Sequence, residues 1–551
     1  MSPPVRRLIR QTSGVIRMHL QNRLLSVAIV AALAVPASAL AMQPGQSQAP
    51  GRALGLIDGH AAALHRADAD GFVARDVVVD RDGTEHVRFD RTFRGLPVIG
   101  GDVVVHSRNG QFKGASQTLK TSLRPGVAGR LGKSQAITEA GAAFGTGFDG
   151  VPTARKVVYA RGASPVLAWE VTMRGIRADQ TPTEMHYFVD AGNGRILDRY
   201  DGIETGKPGS GTTCSSPTGA TGTGQSLFSG DVAINTQRCS DGSYQMKDLA
   251  RGGGYTTDLK QRTSGSGTIF SDADNNWGNN TTSDRATAAA DAHYGVAATW
   301  DYYKNVHGRN GIANDGKGAL SRVHYGRNYV NAFWSDSCFC MTFGDGNGTS
   351  YYPLVNLDVA GHEMSHGVTS RTANLTYSGE SGGLNEATSD IFGTMVEWYE
   401  NNANDTPDYL IGEEIYVNNP SGTKALRYMF KPSLDGASPD CYSSSIGNLD
   451  VHYSSGVANH AFYLMAEGAT TPAGFSTTPA QLVCNGNTSA GGIGRDAAQK
   501  IWYKALTAYM TSNTNYAGAR SATLQAAASL YGSGSAQYNG VASAWSAVGV
   551  N

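Results

Sequence analysis

Charge is scarce in this chain. Only 17% of its 551 residues are Asp, Glu, Lys or Arg, against about 25% in ordinary soluble proteins. The 45 basic and 46 acidic side chains leave a net charge of -1, so there is no basic footprint for nucleic acid. Long apolar runs are almost absent too: the single one, Leu24 to Val35, is too short for a bilayer that needs roughly 20 residues. Cysteine is limited to six residues, Cys214, Cys239, Cys338, Cys340, Cys441 and Cys484. Glycine, by contrast, is abundant at 69 residues, well above the usual ~7%, which suits an uncharged, loop-rich extracellular protein.

The apolar run follows Arg6, Arg7, Arg10, Arg17 and Arg23 and precedes the small-residue sites Ala37-Ser38-Ala39 and Ala39-Leu40-Ala41. That order predicts a signal peptide over residues 1–41, hence secretion, rather than a membrane anchor; Met18 is an alternative start, since the apolar core lies beyond it. All the cysteines follow residue 213 and their number is even, so disulfides are expected in an oxidising compartment. Cys214 with Cys239 and Cys441 with Cys484 are the sequence-local pairs, leaving Cys338 with Cys340. A zinc role for the last two is the rival, although two further ligands at usual spacings are missing.

The most informative stretch is Gly361-His362-Glu363-Met364-Ser365-His366, followed by Asn385-Glu386. On a helix, residues four apart share a face, so His362 and His366 can offer two imidazole nitrogens to one ion with Glu363 beside them. Such a pattern also arises by chance in helices whose histidines face solvent. Here a second helix is expected to open from a turn at Gly382-Gly383, with Glu386 in its first turn and Asp390 one turn on. Glu386 would be a third ligand and Asp390 a carboxylate orienting a ligating histidine. Three mixed nitrogen and oxygen ligands leave a fourth position open, the arrangement of catalytic zinc.

The match from Asp358 to Ile391 resembles the thermolysin family of zinc endopeptidases, of the gluzincin, bacterial neutral protease and pseudolysin-vibriolysin type, and the likeness extends over the C-terminal two-thirds. It implies one catalytic zinc on His362, His366 and Glu386, with Glu363 as general base. Tyr377 and His452 would stabilise the developing oxyanion, and Asp450 would orient His452. Asn331 and Ala332, in Asn331-Ala332-Phe333-Trp334, would hold an extended substrate along an edge strand, and Arg427 would also bind it. Taken singly, Arg427 reads equally well as an ion-pair partner and His452 as a loop histidine. Tyr351, Leu354, Val359, Ile411 and Leu426 match a pocket for a bulky apolar residue on the carboxyl side of the cut bond. Asp358, Glu397, Asp408 and Glu413 match calcium positions; where some relatives carry another acid this chain has Leu410, which favours a single calcium with a backbone carbonyl from Leu410. Phe93-Arg94-Gly95-Leu96-Pro97-Val98 and the later strand-like stretches around Trp169 and Tyr187 resemble the fungalysin and thermolysin prosegment, including a PepSY-like second half.

The resemblance implies an α+β fold: a strand-rich prodomain over residues 42–205, a strand-rich peptidase lobe over 206–370 that includes the zinc helix, and a helical lobe over 371–551, with the zinc helix between the lobes. Maturation is expected near Thr205, through the enzyme's own site. Expected partners are peptide and protein substrates and the prosegment as inhibitor and folding aid, with no nucleic acid, no stable membrane anchor and a monomeric state. A non-enzymatic adhesin of the same fold would have no need of Glu363, Tyr377 and His452 together, and a cell-wall zinc amidase would be expected to lack the Asn331 segment.

Overall fold

A computed structural model describes residues 48–145, 147–203, 214–489 and 492–551. The expected signal peptide and the expected cut near Thr205 lie outside the described residues. The described residues all fall within one unit, Met42–Asn551, and no helix among them is long and apolar enough to cross a membrane.

The paired strands expected between His86 and His106 are present as Thr84–Phe93, Leu96–Ile99 and Val103–Arg108. They belong to a nine-stranded sheet that runs from Gln111–Gln117 to Ile196–Asp201, with Asp70–Val79 also paired to Thr84–Phe93. One face of Thr84–Phe93 is apolar: Val87 and Phe89 pack under Ala49, Ala53 and Ile57 of helix Ala49–Gly59. The opposite face carries His86 and Arg88, which are also buried. A strand normally alternates between core and water; here both faces are covered, one by helix Ala49–Gly59 and the other by C-terminal residues that include Tyr509 and Met510. In the second half, helix Lys133–Phe144 lays Ala136, Ala140 and Phe144 on Val171, Met173, Tyr187 and Val189.

The next lobe is strand-rich, as expected. A five-stranded sheet contains Thr218–Gln225 and Asp231–Arg238, and a six-stranded sheet has the order Lys247–Asp248, Gly254–Asp258, Leu320–Tyr325, Cys340–Gly344, Ala332–Ser335, with Thr268–Ile269 also paired to Gly254–Asp258. Ala332–Ser335 therefore lies at a sheet edge. One element was not anticipated: the 23-residue helix Arg285–His307 within this lobe. Its burial runs around most of its circumference, from Thr287 to Tyr303, which erases the polar face on which helical periodicity depends. Its alanines and the N-cap Asp284, whose side chain accepts from Ala286 N–H, were the readable signals.

The motif helix, Leu357–Ser370, crosses a long helix, Gly379–Glu400. A Cβ added at Gly361 would sit 2.9 Å from Gly393 Cα, and one at Gly393 would sit 2.5 Å from Asp358 O. Two glycines at the crossing thus let the backbones approach closely enough for side chains one and two turns away to meet. The later segments Gly456–Glu467 and Arg495–Lys504 are helical as expected, and the second continues into a π turn, Ala505–Tyr509. Three disulfides form, Cys214–Cys239, Cys338–Cys340 and Cys441–Cys484, with Cα separations of 5.1, 5.2 and 6.0 Å. Pairing of Cys338 with Cys340 leaves neither thiolate for a metal.

Candidate active site

His362 and His366 point the same edge of their rings at one place. His362 Nδ1 lies 2.8 Å from Asp390 Oδ1 and His366 Nδ1 2.8 Å from Asn385 Oδ1. Asn385 donates its amide to Leu375 O at 2.8 Å, so its oxygen faces His366. Both acceptors place the ring proton on Nδ1, and both Nε2 atoms therefore present lone pairs. Those two atoms are 3.0 Å apart. Glu386 completes the group, with Oε2 3.5 Å from His362 Nε2 and Oε1 3.4 Å from His366 Nε2. Its Oε2 is buried without a hydrogen-bond partner. Three acceptors converging in a buried site repel unless a cation stands among them, and two imidazoles with one carboxylate suit zinc. Glu363 is not in the converging set; it lines the cleft beside it.

Glu386 does not stand in the first turn of its helix. The helix begins at Gly379 and runs through Gly382 and Gly383, because the glycines serve a close contact rather than a turn. A Cβ at Gly382 would meet Val451 Cγ1 at 2.4 Å and one at Gly383 would meet Ser454 Oγ at 2.5 Å.

Asp390 binds four donors: His362 Nδ1 and Arg427 Nη2 (2.7 Å) on Oδ1, and Arg427 Nε (2.8 Å) and Asn459 Nδ2 (2.8 Å) on Oδ2. Burial works to raise this carboxyl, but Arg427 and His362 outweigh it and hold it far below the usual range. Arg427 thus is a buried ion-pair partner and also lines the cleft. Tyr377 OH donates to Glu386 Oε1 and lies 3.2 Å from His452 Nε2. Asp450 caps the short helix Val451–Ser454 through His452 N–H and holds His452 Nδ1 at 2.7 Å. The Glu386 charge, followed by the Asp450 bond, raises the half-exposed His452 imidazole against partial desolvation. Burial, reinforced by Glu386, lifts the Glu363 carboxyl to about 7, within reach of proton exchange near neutrality.

These groups open on one cleft of about 560 Å³. Asn331, Ala332, Leu354, Val359, Ile411, Leu426, Arg427, Tyr377 and His452 line it. Tyr351, expected in the apolar pocket, is not among the lining residues; it bridges to Tyr416 instead, ring centroids 5.0 Å apart. The opposite wall comes from the N-terminal nine-stranded sheet and the segments beside it, and includes Arg177, Asp179, Thr181, Asp201 and Ile203, which no sequence signal marked. Nor did the sequence reading assign roles to Asn385 and Asn459, whose contacts depend on tertiary packing.

A second group of acids lies behind the cleft. Glu397, Asp405, Glu413 and Glu414 bring carboxylate oxygens within 4.8 Å of one another, and both oxygens of Glu397, Asp405 and Glu413 are buried without partners. An all-oxygen set of this kind suits calcium. Glu397 and Glu413 were expected there; Asp405 and Glu414 were not. Asp358 is buried nearby, but its oxygens accept from Val359 N and Gly412 N, both at 2.6 Å. Asp408 accepts from Leu410 N at 2.6 Å, and Leu410 pairs with Tyr428 in a two-stranded ribbon. Neither Asp358 nor Asp408 falls in the converging set.

Three family models match. They are the thermolysin metallopeptidase catalytic domain over residues 221–370, its alpha-helical domain over 373–550, and the fungalysin/thermolysin propeptide motif over 70–119. A transglutaminase-activating metalloprotease of Streptomyces mobaraensis is 52% identical over 484 residues, covering 87% of this chain and 61% of that protein. This chain therefore spans less than two-thirds of that relative's length. Thermolysin of Alicyclobacillus acidocaldarius subsp. acidocaldarius is 38% identical over 491 residues, covering 86% of this chain and 84% of that one. The precursor of protealysin from Serratia proteamaculans superposes with a TM-score of 0.42 at 28% identity, over 54% of this chain and 87% of that one. With its paired histidines, its helix-borne glutamate and its propeptide motif in the matching order, this chain belongs to the thermolysin family of metallopeptidases.

Proposed function

We propose that the chain is a secreted, monomeric precursor of a zinc-dependent endopeptidase that cuts peptide bonds preceding bulky apolar residues. The observation that carries this reading is the convergence of two imidazole lone pairs and the Glu386 carboxylate beside an unliganding Glu363, all on a cleft bordered by a sheet edge. His362, His366 and Glu386 would hold zinc, which when bound supplies Lewis acidity toward the scissile carbonyl and water. Glu363 takes the proton of the attacking water and delivers it to the leaving amine. Tyr377 OH and His452 Nε2–H donate to the carbonyl oxygen as it gains charge, a role worth about 3 kcal/mol per donor in other enzymes. Asp450 holds His452 so that Nε2 faces the reacting group. Asn331 and Ala332 offer backbone and amide groups to an extended substrate by strand addition. Leu354, Val359, Ile411 and Leu426 form the apolar wall. Glu397, Asp405, Glu413 and Glu414, backed by Asp358, would hold calcium as structural support.

Residues 42–205 form the prosegment in this reading, with maturation near Thr205 by the enzyme's own site. Its wall of the cleft stands where substrate would lie, which accounts for inhibition before removal. The test is casein digestion with calcium kept present: a zinc chelator should abolish hydrolysis and added zinc should restore it. Full activity in the chelator would end the proposal.

A further inference from the structure

Where the prosegment meets the helical lobe, two histidines face each other in a closed site, and neither lines the catalytic cleft. His86 and His106 stand directly opposite on antiparallel strands, only 2% and 8% exposed, with Nδ1 atoms 2.7 Å apart. The outer nitrogens are also engaged: His86 Nε2 with Asp80 Oδ2 at 3.1 Å and His106 Nε2 with Ser116 Oγ at 2.9 Å. With both rings neutral, one proton arrangement satisfies every group. Ser116 O–H donates to His106 Nε2, His106 Nδ1–H donates to His86 Nδ1, and His86 Nε2–H donates to Asp80. Each ring is then neutral.

The lid on this chain of bonds belongs to the other side of the interface. Tyr509 packs edge-on or tilted against both rings at 5.2 Å, Lys504 forms an ion pair with Asp80, and Ser529 Oγ donates to Asp80 Oδ2 at 3.1 Å. The charged and titratable groups facing the pair are Asp80, Asp82 and Arg88 from the prosegment and Lys504 and Tyr509 from the helical lobe. Asp80 is matched by Lys504, Arg88 by Asp102 and Asp82 by Arg108, so nothing remains to balance a further positive charge. A proton added at His86 Nδ1 would force His106 to turn its own proton to Nε2, and the added proton, like one added at His106 Nε2, would place a cation in a buried site beside Lys504.

We propose that His86 and His106 form an acid-sensitive latch, which holds the prosegment on the helical lobe while both rings are neutral and opens it on mild acidification. Burial accordingly depresses both imidazoles, that of His106 to about 3. The sign follows from linkage: the undocked rings bind protons more readily than the docked ones, so docking is strongest above the ordinary histidine range, about 6.5, and weakens as pH falls below it. Each proton taken up on opening raises the opening equilibrium about tenfold per pH unit. The inference concerns docking of residues 70–119 and stands whichever bond the enzyme cuts.

The test uses the full-length chain carrying Glu363→Gln, with intact mass confirming that it is uncut. Hydrogen exchange, corrected for intrinsic rates, is followed in peptides spanning 84–108 and 504–512 at pH 7.5 and 5.5. The latch predicts at least about tenfold faster opening at the lower pH, and loss of that dependence in His86→Gln, His106→Gln together. An equal pH dependence with and without the two histidines, or none in the parent, overturns it. Should the double variant not fold, imidazole NMR of the parent decides. Two rings that stay neutral at pH 6.5 and gain protons only as the interface opens support the latch, whereas rings that titrate near 6.5 with the interface closed refute it.

Discussion

Asp390 shows how one buried carboxylate can serve both ligand and fold. It orients His362, neutralises Arg427 and binds Asn459 with four hydrogen bonds. Removing one partner of a buried pair leaves the other charge without compensation, which costs about 3–5 kcal/mol. Arg427→Ala is therefore expected to lower stability by that order, measured by denaturant unfolding, as well as to weaken hydrolysis. A loss below ~1 kcal/mol would mean that water reaches Asp390 more freely than its burial indicates. Glu363 calls for the opposite result, an intact fold with failed chemistry. Since it lies outside the converging ligand set, Glu363→Gln should retain zinc by elemental analysis while peptide hydrolysis drops about 100- to 10,000-fold. Zinc lost in parallel would make Glu363 a ligand instead. At this scale the sequence was informative where spacing is local: four residues bring His362 and His366 together, and four more relate Glu386 to Asp390. Asn385 as the partner of His366 and Asn459 as the partner of Asp390 were not legible, because 19 and 69 residues separate those pairs.

Elements were readable where one face meets water and obscure where both are covered. The alternating strands around Phe93 and the helices Gly456–Glu467 and Arg495–Lys504 follow their patterns, whereas Arg285–His307 is wrapped on most sides and shows no stripe. Glycine misled for a related reason. Gly382 and Gly383 have the composition of a turn, yet both lie within Gly379–Glu400, and only the arrival of Val451–Ser454 explains them. Gly383→Ala tests this. The added methyl would lie 2.5 Å from Ser454 Oγ and 2.8 Å from Tyr516 OH, and overpacking of this kind costs about 1–3 kcal/mol. Because Val451–Ser454 carries His452, the expected signature is a kcat lowered about tenfold, equivalent to ~1.4 kcal/mol of transition-state stabilisation, with zinc content unchanged. A kcat left unchanged by Gly383→Ala would remove the packing argument.

At the scale of the whole molecule, the acidic cluster joins parts that the motif helix alone does not. Glu397 ends the long helix, Asp405 lies in the loop beyond it, and Glu413 and Glu414 follow the strand that carries Ile411 into the cleft wall. Resemblance placed Glu397 and Glu413 there, but Asp405 and Glu414 could be assigned only once the loop was folded. The same carboxylates fix the sign of a pH experiment. In the metal-free chain, burial, with neighbouring acids adding to it, raises Glu397, Asp405 and Glu413 well above the carboxylate range and Glu414 to about 7. Groups raised in the folded state hold protons that the unfolded chain has released, so their contribution to stability is complete below the ordinary carboxylate value of about 4.3 and is lost as pH rises toward and through 7. Calcium reverses this, because it binds the deprotonated cluster and stabilises the fold by mass action, by about 2.7 kcal/mol at 100-fold over its dissociation constant. The gain in unfolding temperature on adding calcium should therefore be small at pH 5.5 and large at pH 8, and the calcium-free protein should autolyse faster at pH 8, most visibly through the loop at residues 401–408. Taking the difference with and without calcium at each pH cancels contributions from groups such as His86 and His106 that do not touch the ion. No gain at either pH would mean that the cluster keeps its protons and binds no cation, and that the cleft wall at Ile411, Leu426 and Arg427 rests on packing alone, whereas an equal gain at both would mean that the ion binds without displacing those protons.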